Sequence, residues 1–212
     1  MPTKRAVAEI VSLLENEYPG AICSLEYEKP YQLLFSVRLA AQCADARVNM
    51  VTPALFERYP TLESFAEADE TEVQEYVRTC GFFRSKAHDI VAAANMLVSE
   101  FGGIVPDNMD ELLRLPGVGR KTANLILGDV YKVPSSVVVD THCIRISNRL
   151  GLVETKDPPK IEAALRKLLP PEKSNDFCHR LVLHGRAVCT ARKPGCINCV
   201  LLTNCKYGKN VN

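Results

Sequence analysis

A lysine just past a glycine-rich turn is the residue of this chain best suited to covalent chemistry. The segment ELLRLPGVGRKTANLIL (111–127) reads as helix, turn, helix, with Gly117 and Gly119 flanking Val118 in the turn. Glycine admits positive φ and lets the backbone approach a partner closely. The second helix then starts with exposed N–H groups at the positive end of its dipole, which bind a phosphate without reading a base. Arg120 and Lys121 add two cations there. Cations oppose the dipole at that end, so either an anion is bound in the working complex or the lysine is meant to lose its proton readily. Lys121 suits the second role: burial, the neighbouring Arg120 and the helix N-terminus all favour the neutral amine that a nucleophile needs. A surface lysine contacting phosphate is the equally weighted alternative.

A carboxylate follows at Asp140, delivered by the run Ser-Ser-Val-Val-Val (135–139). On this segment alone Asp140 reads best as a helix N-cap. Facing Lys121, it could accept a proton or stabilise positive charge developing on a sugar. His142 reads as a polar residue of the same helix start.

The third group is Cys189, Cys196, Cys199 and Cys205, spaced C-x6-C-x2-C-x5-C in a tail turned by Pro194 and Gly195. The tail has few other apolar side chains to bury, so a closed Cys₄ site is expected. Its metal stays open between zinc, the commoner choice, and a four-iron cluster. Of the other five cysteines, Cys178 is expected to be a buried free thiol and Cys23, Cys43, Cys80 and Cys143 core residues. The opening segment MPTKRAVAEIVSLLENEY carries Glu9 and Glu15 inside its apolar pattern. It is therefore not expected to be a secretory signal, and the thiols are expected to be reduced.

The elements that must position these groups read as helix after helix. Thr3 to Tyr18 puts Val7, Ile10, Val11 and Leu14 on one stripe. Tyr31 to Ala44 reads as a buried helix. Asp45 caps a helix to about Tyr59, which Pro53 should kink or restart. Asp69 and Glu72 form a D-x-x-E capping box ahead of a helix ending near Gly81. Further helices are expected over Ser85–Phe101, Asn108–Leu113, Lys121–Val130, Thr141–Arg149, Lys160–Leu169 and Asn175–Ala187. Ser136–Val139 alone looks strand-like and is too short for a sheet. The expected fold class is all-α.

Composition agrees with a packed globular chain. Of 212 residues, 47% are hydrophobic and 24% charged, which argues against a disordered or collagen-like protein. No apolar run of about 18 residues occurs, so no membrane helix is expected. The net charge of +1 predicts no polyanion partner by itself. Its distribution says more: the tail from Cys178 onward has six Lys or Arg and no acid, whereas Glu57–Glu75 has seven acids and one base.

In the order they occur, LPGVGRKTAN (115–124), VDTH (139–142), LHGR (183–186) and the four-cysteine tail make the chain resemble endonuclease III, the helix–hairpin–helix DNA glycosylase and abasic-site lyase family of base-excision repair. The resemblance covers nearly the whole chain. It implies two helical domains flanking a DNA-binding cleft: a six-helix domain with the hairpin over 22–133, and a discontinuous domain of 1–21 and 134–212. It implies a [4Fe–4S] cluster on Cys189, Cys196, Cys199 and Cys205, and Lys121 and Asp140 as the catalytic pair. The implied partner is double-stranded DNA with damaged bases, oxidised pyrimidines by family default, or abasic sites, met by a monomer. A bacterial source would place it in the cytoplasm, with the nucleoid. Gly117, Val118, Gly119, Arg120 and His142 are counted among the DNA contacts. Two residues would fill the gap left by an extruded nucleotide, Gln42 from AAQCAD (40–45) and Phe82 from TCGFFRSK (79–86). From their positions alone, Gln42 would be a helix C-terminal residue and Phe82 core packing. Arg192 and Lys193, on the loop between Cys189 and Cys196, would be held against the DNA backbone. Arg38 departs from the family pattern, standing where an apolar neighbour of the Gln42 loop is usual.

Overall fold

The computed structural model describes residues 2–210, and among these the regular structure is helical throughout, with no strand. The chain divides into two compact units, one bounded by Met1–Ile22 and Lys132–Asn212, the other by Cys23–Tyr131.

In the first unit α1 (Lys4–Glu17) starts at Thr3, whose side chain accepts from the Ala6 N–H at 3.2 Å. The expected stripe of Val7, Ile10, Val11 and Leu14 is buried.

The second unit holds α2 (Pro30–Ala40), α3 (Asp45–Arg58), α4 (Leu62–Ala66), α5 (Glu70–Val77), α6 (Phe83–Phe101), α7 (Met109–Leu112) and α8 (Arg120–Asp129). Two expectations are corrected here. Helix α2 stops at Ala40 rather than Ala44, because Ala41 turns out of helical geometry at ψ 111° and Gln42 takes φ 55°. Helix α3 runs through Pro53 as one element, without a restart. Asp69 does cap α5, accepting from the Thr71 N–H at 2.8 Å. Glu72 does not close the box, because its carboxylate pairs with Arg58 at 2.6 Å.

The apolar periodicity did not reveal α4, yet α4 carries the ring at the centre of this unit. Phe65 is fully buried and packs edge-on against Phe35 (centroids 5.0 Å apart) and tilted against Tyr59 (5.1 Å). Thr61 and Ser64 bracket the start of α4 with reciprocal bonds of 3.2 Å. Helix α6 packs on α4 and α5, and α2 packs on α3, α6 and α8.

The first unit resumes after Tyr131. Ser136 to Val139 is extended and buried without a sheet partner, and leads into α9 (Thr141–Leu150). Then come α10 (Pro158–Leu168) and α11 (Ser174–Ala187), followed by short 3₁₀ turns at Cys196–Asn198, Leu202–Asn204 and Gly208–Asn210. Helix α11 packs on α9 and α1.

All nine cysteines are free. Cys80, Cys143 and Cys178 are buried as expected, whereas Cys23 and Cys43 are only half-buried. A hydrogen bond with Cys143 and full burial push the Cys178 thiol well up, so it stays protonated.

Candidate active site

The hairpin is built from buried apolar residues on either side of an exposed turn. Leu112 and Leu115 are buried, and the Leu115 carbonyl accepts from the Val118 N–H at 3.1 Å. Gly117 sits at φ 74°, a left-handed conformation that disfavours any residue with a Cβ. Space forbids one too. A Cβ there would lie 2.8 Å from Arg38 Cδ and Nε and 2.9 Å from Asp89 Oδ2. Arg38 donates to Asp89 at 2.6 Å and to the Ser85 hydroxyl at 3.1 Å, so the residue that departs from the family pattern props the turn. Helix α8 then begins at Gly119, which has no side chain to cap the first N–H groups. Arg120 and Lys121 are exposed on its first turn. That corrects one expectation: burial within the chain does not desolvate the Lys121 amine.

Asp140 belongs to the other unit. It is half-buried and caps α9, its Oδ1 accepting from the Cys143 N–H at 2.7 Å. His142 is half-buried, and its Nδ1 accepts from Arg145 Nη2 at 3.1 Å. The same guanidinium donates to the carbonyls of Cys189 (3.1 Å) and Gly185 (3.3 Å). A Cβ on Gly185 would collide with His142 Nδ1 and lie 2.8 Å from Arg145 Nη2. Gly185 is thus what lets α9 and α11 close on each other, a reason the LHGR string did not disclose.

Gln42 and Phe82 share an unusual backbone. Both are non-glycine residues with left-handed φ, 55° and 47°, a property among described residues shared only with Lys132 and Ser135. Gln42 is exposed in a turn beyond α2, not on the helix itself. Phe82 is 69% exposed, so it is not core packing. An exposed phenylalanine held in a strained conformation is costly unless it is used.

The cysteine tail wraps a pocket lined by all four predicted thiols, with Ile146, Leu150 and Val188 as apolar wall. Among the described residues no three His, Cys, Asp or Glu side chains converge closely enough to hold a single metal ion. Donors point at the sulfurs. Arg149 Nη1 lies 3.2 Å from the Cys189 sulfur, and the Gly208 N–H donates to Cys205 at 3.3 Å. His184 Nε2 lies 3.5 Å from the Cys199 sulfur, while its Nδ1 meets the Tyr18 hydroxyl at 3.2 Å. Burial lowers the His184 pKa, so the ring is neutral. With Tyr18 donating to Nδ1, the Nε2–H is left for sulfur. Burial and the three neighbouring thiols push the Cys199 thiol up, so gathering four thiolates here calls for positive charge in their midst.

Two residues here escaped the sequence analysis. His184 could have been sought, since it lies in LHGR. Arg149 gave no signal, yet it holds the loop by also donating to the carbonyls of Thr190 (2.7 Å) and Ala191 (2.9 Å). Arg192 and Lys193 are exposed on that loop.

Residues 35–171 match the HhH-GPD superfamily of base excision DNA repair proteins. Endonuclease III of Synechocystis is 49% identical over 95% of this chain and 92% of its own length. The chain belongs to the endonuclease III family. Members of this family are base-excision-repair DNA glycosylases and abasic-site lyases, and the chain is an enzyme of that class. Endonuclease III of Escherichia coli is 36% identical over 96% of both chains. A solved endonuclease III trapped as a covalent intermediate with DNA superposes with a TM-score of 0.92, at 39% identity, covering 100% of this chain and 99% of that one.

Proposed function

We propose that this endonuclease III homologue binds duplex DNA as a monomer, excises oxidised pyrimidines through Lys121, and nicks the strand 3′ to the resulting abasic site. The observation that carries this reading is an exposed lysine on the uncapped first turn of α8, directly behind the Gly117–Gly119 turn. A relative of the same fold has been trapped covalently on DNA, which supports the same kind of bond here.

The chemistry follows from the groups. The sugar carbon is hidden in a duplex, so the damaged nucleotide must first be extruded, at least cost when the base is damaged. The hairpin N–H groups and the turn at Gly117, Val118 and Gly119 hold a backbone phosphate, with Arg120 adding charge. Extruded deoxyribose covering Lys121 supplies the desolvation that the free chain lacks, favouring the neutral amine. The Nζ lone pair bonds to C1′ as the C1′–N bond breaks, and the base leaves with that electron pair and a proton. Asp140 stabilises the positive charge or carries the proton. The nitrogen lone pair then expels O4′, which takes up a proton as the sugar ring opens, and the imine so formed at C1′ acidifies C2′. Loss of the C2′ proton drives the 3′ phosphate out by β-elimination, and water returns the amine. Gln42 and Phe82 fill the gap in the stack, and His142, through Arg145, braces the Asp140 helix against α11.

Cys189, Cys196, Cys199 and Cys205 are assigned to a [4Fe–4S] cluster rather than zinc on the resemblance to the family, and the single pocket that all four line supports a shared group there. Arg149, His184 and the Gly208 amide would donate to its ligand sulfurs. The cluster supplies a cross-link to a tail poor in apolar side chains, and no step of the reaction passes through it. Purified protein should be brown, with iron and sulfide in equal amounts. A colourless zinc-loaded fold would overturn the assignment.

Lys121→Gln tests the central claim. It should abolish both nicking of abasic duplex and the adduct that borohydride traps with wild type. A glutamine variant that still nicks at the wild-type rate would overturn the reading.

A further inference from the structure

A second lysine is more deeply buried than any other charged group near the hairpin, and the reaction does not use it. Lys86 is 1% exposed. Lysine is almost never buried completely, because an ammonium removed from water is strongly disfavoured unless it is well partnered. Its Nζ donates to the Leu39 carbonyl at 2.8 Å and to the Cys80 carbonyl at 2.6 Å. These two acceptors are 41 residues apart in the chain, and each has a specific place. Leu39 lies in the last turn of α2, where carbonyls lack helical partners and the negative end of the dipole attracts a cation. The Cys43 N–H that might have reached back bonds the Ala40 carbonyl instead, at 3.1 Å, closing the turn that holds Gln42. Cys80 ends the 3₁₀ turn before Gly81 and Phe82, at φ 63° and 47°. The backbone of Lys86 grips the same corner, its N–H donating to the Phe82 carbonyl at 3.1 Å.

We infer that Lys86 is a positioning residue for base extrusion: one buried ammonium clamps the Gln42 turn to the Phe82 turn, so that both strained residues are presented together before DNA arrives. Left-handed non-glycine backbone is strained and persists only where the surroundings enforce it. The clamp supplies that enforcement on both sides at once. It rests on the reading of Gln42 and Phe82 as the residues that fill the gap in the stack.

The test uses the whole protein with its cluster. Lys86→Met keeps an unbranched apolar stem, one atom shorter, and removes the donors. Single-turnover excision is measured on a duplex with one thymine glycol, and borohydride trapping on a single-stranded abasic oligonucleotide, where no base need be extruded. The duplex rate should fall by at least about tenfold more than the single-strand rate, given two charged hydrogen bonds lost. Fluorescence of 2-aminopurine opposite an abasic analogue should show less unstacking on binding. Equal losses on both substrates would make Lys86 a fold residue only, and an unchanged duplex rate would remove any role; either overturns the inference.

Gln42→Ala and Phe82→Ala separate the two levels. If neither slows duplex excision, the underlying reading fails. If they slow it and Lys86→Met does not, the clamp alone fails. Should Lys86→Met not fold, hydrogen exchange of the wild-type protein decides: peptides spanning 39–43 and 80–83 should open together across a denaturant series. Independent opening would overturn the clamp.

Discussion

Asp140 shows how a single carboxylate can be asked to do two things. It caps α9 at 2.7 Å, and it is the residue proposed to assist at the sugar. The two roles use different properties, hydrogen-bond acceptance and charge, so one substitution separates them. Asparagine caps a helix about as well as aspartate. Asp140→Asn should therefore leave the thermal midpoint nearly unchanged while slowing single-turnover excision by about 10²–10⁴-fold, the range for a lost general acid or base. A normal excision rate would reduce Asp140 to its cap. Much of this was legible beforehand, because a cap is a local affair: the residue types at 140–143 specify it. The exposure of Lys121 and of Phe82 was not legible, since burial is decided by elements distant in sequence. Lys86 gave no signal either, because its two acceptors are backbone carbonyls.

Helices meet where side chains allow, and α9 and α11 meet over Gly185. Gly185→Ala would drive its methyl into the His142 ring. Overpacking of that kind costs about 1–3 kcal/mol. At roughly 2–4 °C per kcal/mol for a chain of this size, the melting midpoint should fall by several degrees. The damage should not stop there. His142 holds Arg145, whose guanidinium bonds the Cys189 carbonyl, so visible absorbance from the proposed cluster should bleach faster in air than in wild type. A variant with wild-type melting and bleaching would show that α9 and α11 have slack. At this scale the helices themselves were readable from apolar spacing, since an amphipathic stripe is a local pattern. Two elements were not. Helix α4 is little more than one turn long, too short to display a period, and α2 ends inside an apolar run where a tertiary contact, the Lys86 ammonium, takes the Leu39 carbonyl.

For the molecule as a whole, a net charge of +1 says little about affinity for a polyanion, because the charges are segregated. Acids crowd Glu57–Glu75, and the tail after Cys178 is purely basic. Affinity for DNA should then come from a few local cations and fall as salt rises. Arg192 and Lys193 are the most direct candidates, exposed on a loop that Arg149 pins at three successive residues, Cys189, Thr190 and Ala191. A pinned loop offers its charges with little ordering cost, which is what makes them worth measuring. Each phosphate contact contributes about −0.9 to the slope of log affinity against log salt, so replacing both residues with alanine should flatten that slope by up to about two. Affinity at low salt should drop accordingly, while iron content and the single-turnover rate at saturation stay near wild type, since neither residue touches sulfur or sugar. An unchanged slope with weaker binding would mean the loop acts through shape. An unchanged slope with unchanged binding would move the electrostatic contact off the tail altogether, leaving the α8 terminus and Arg120 to supply it.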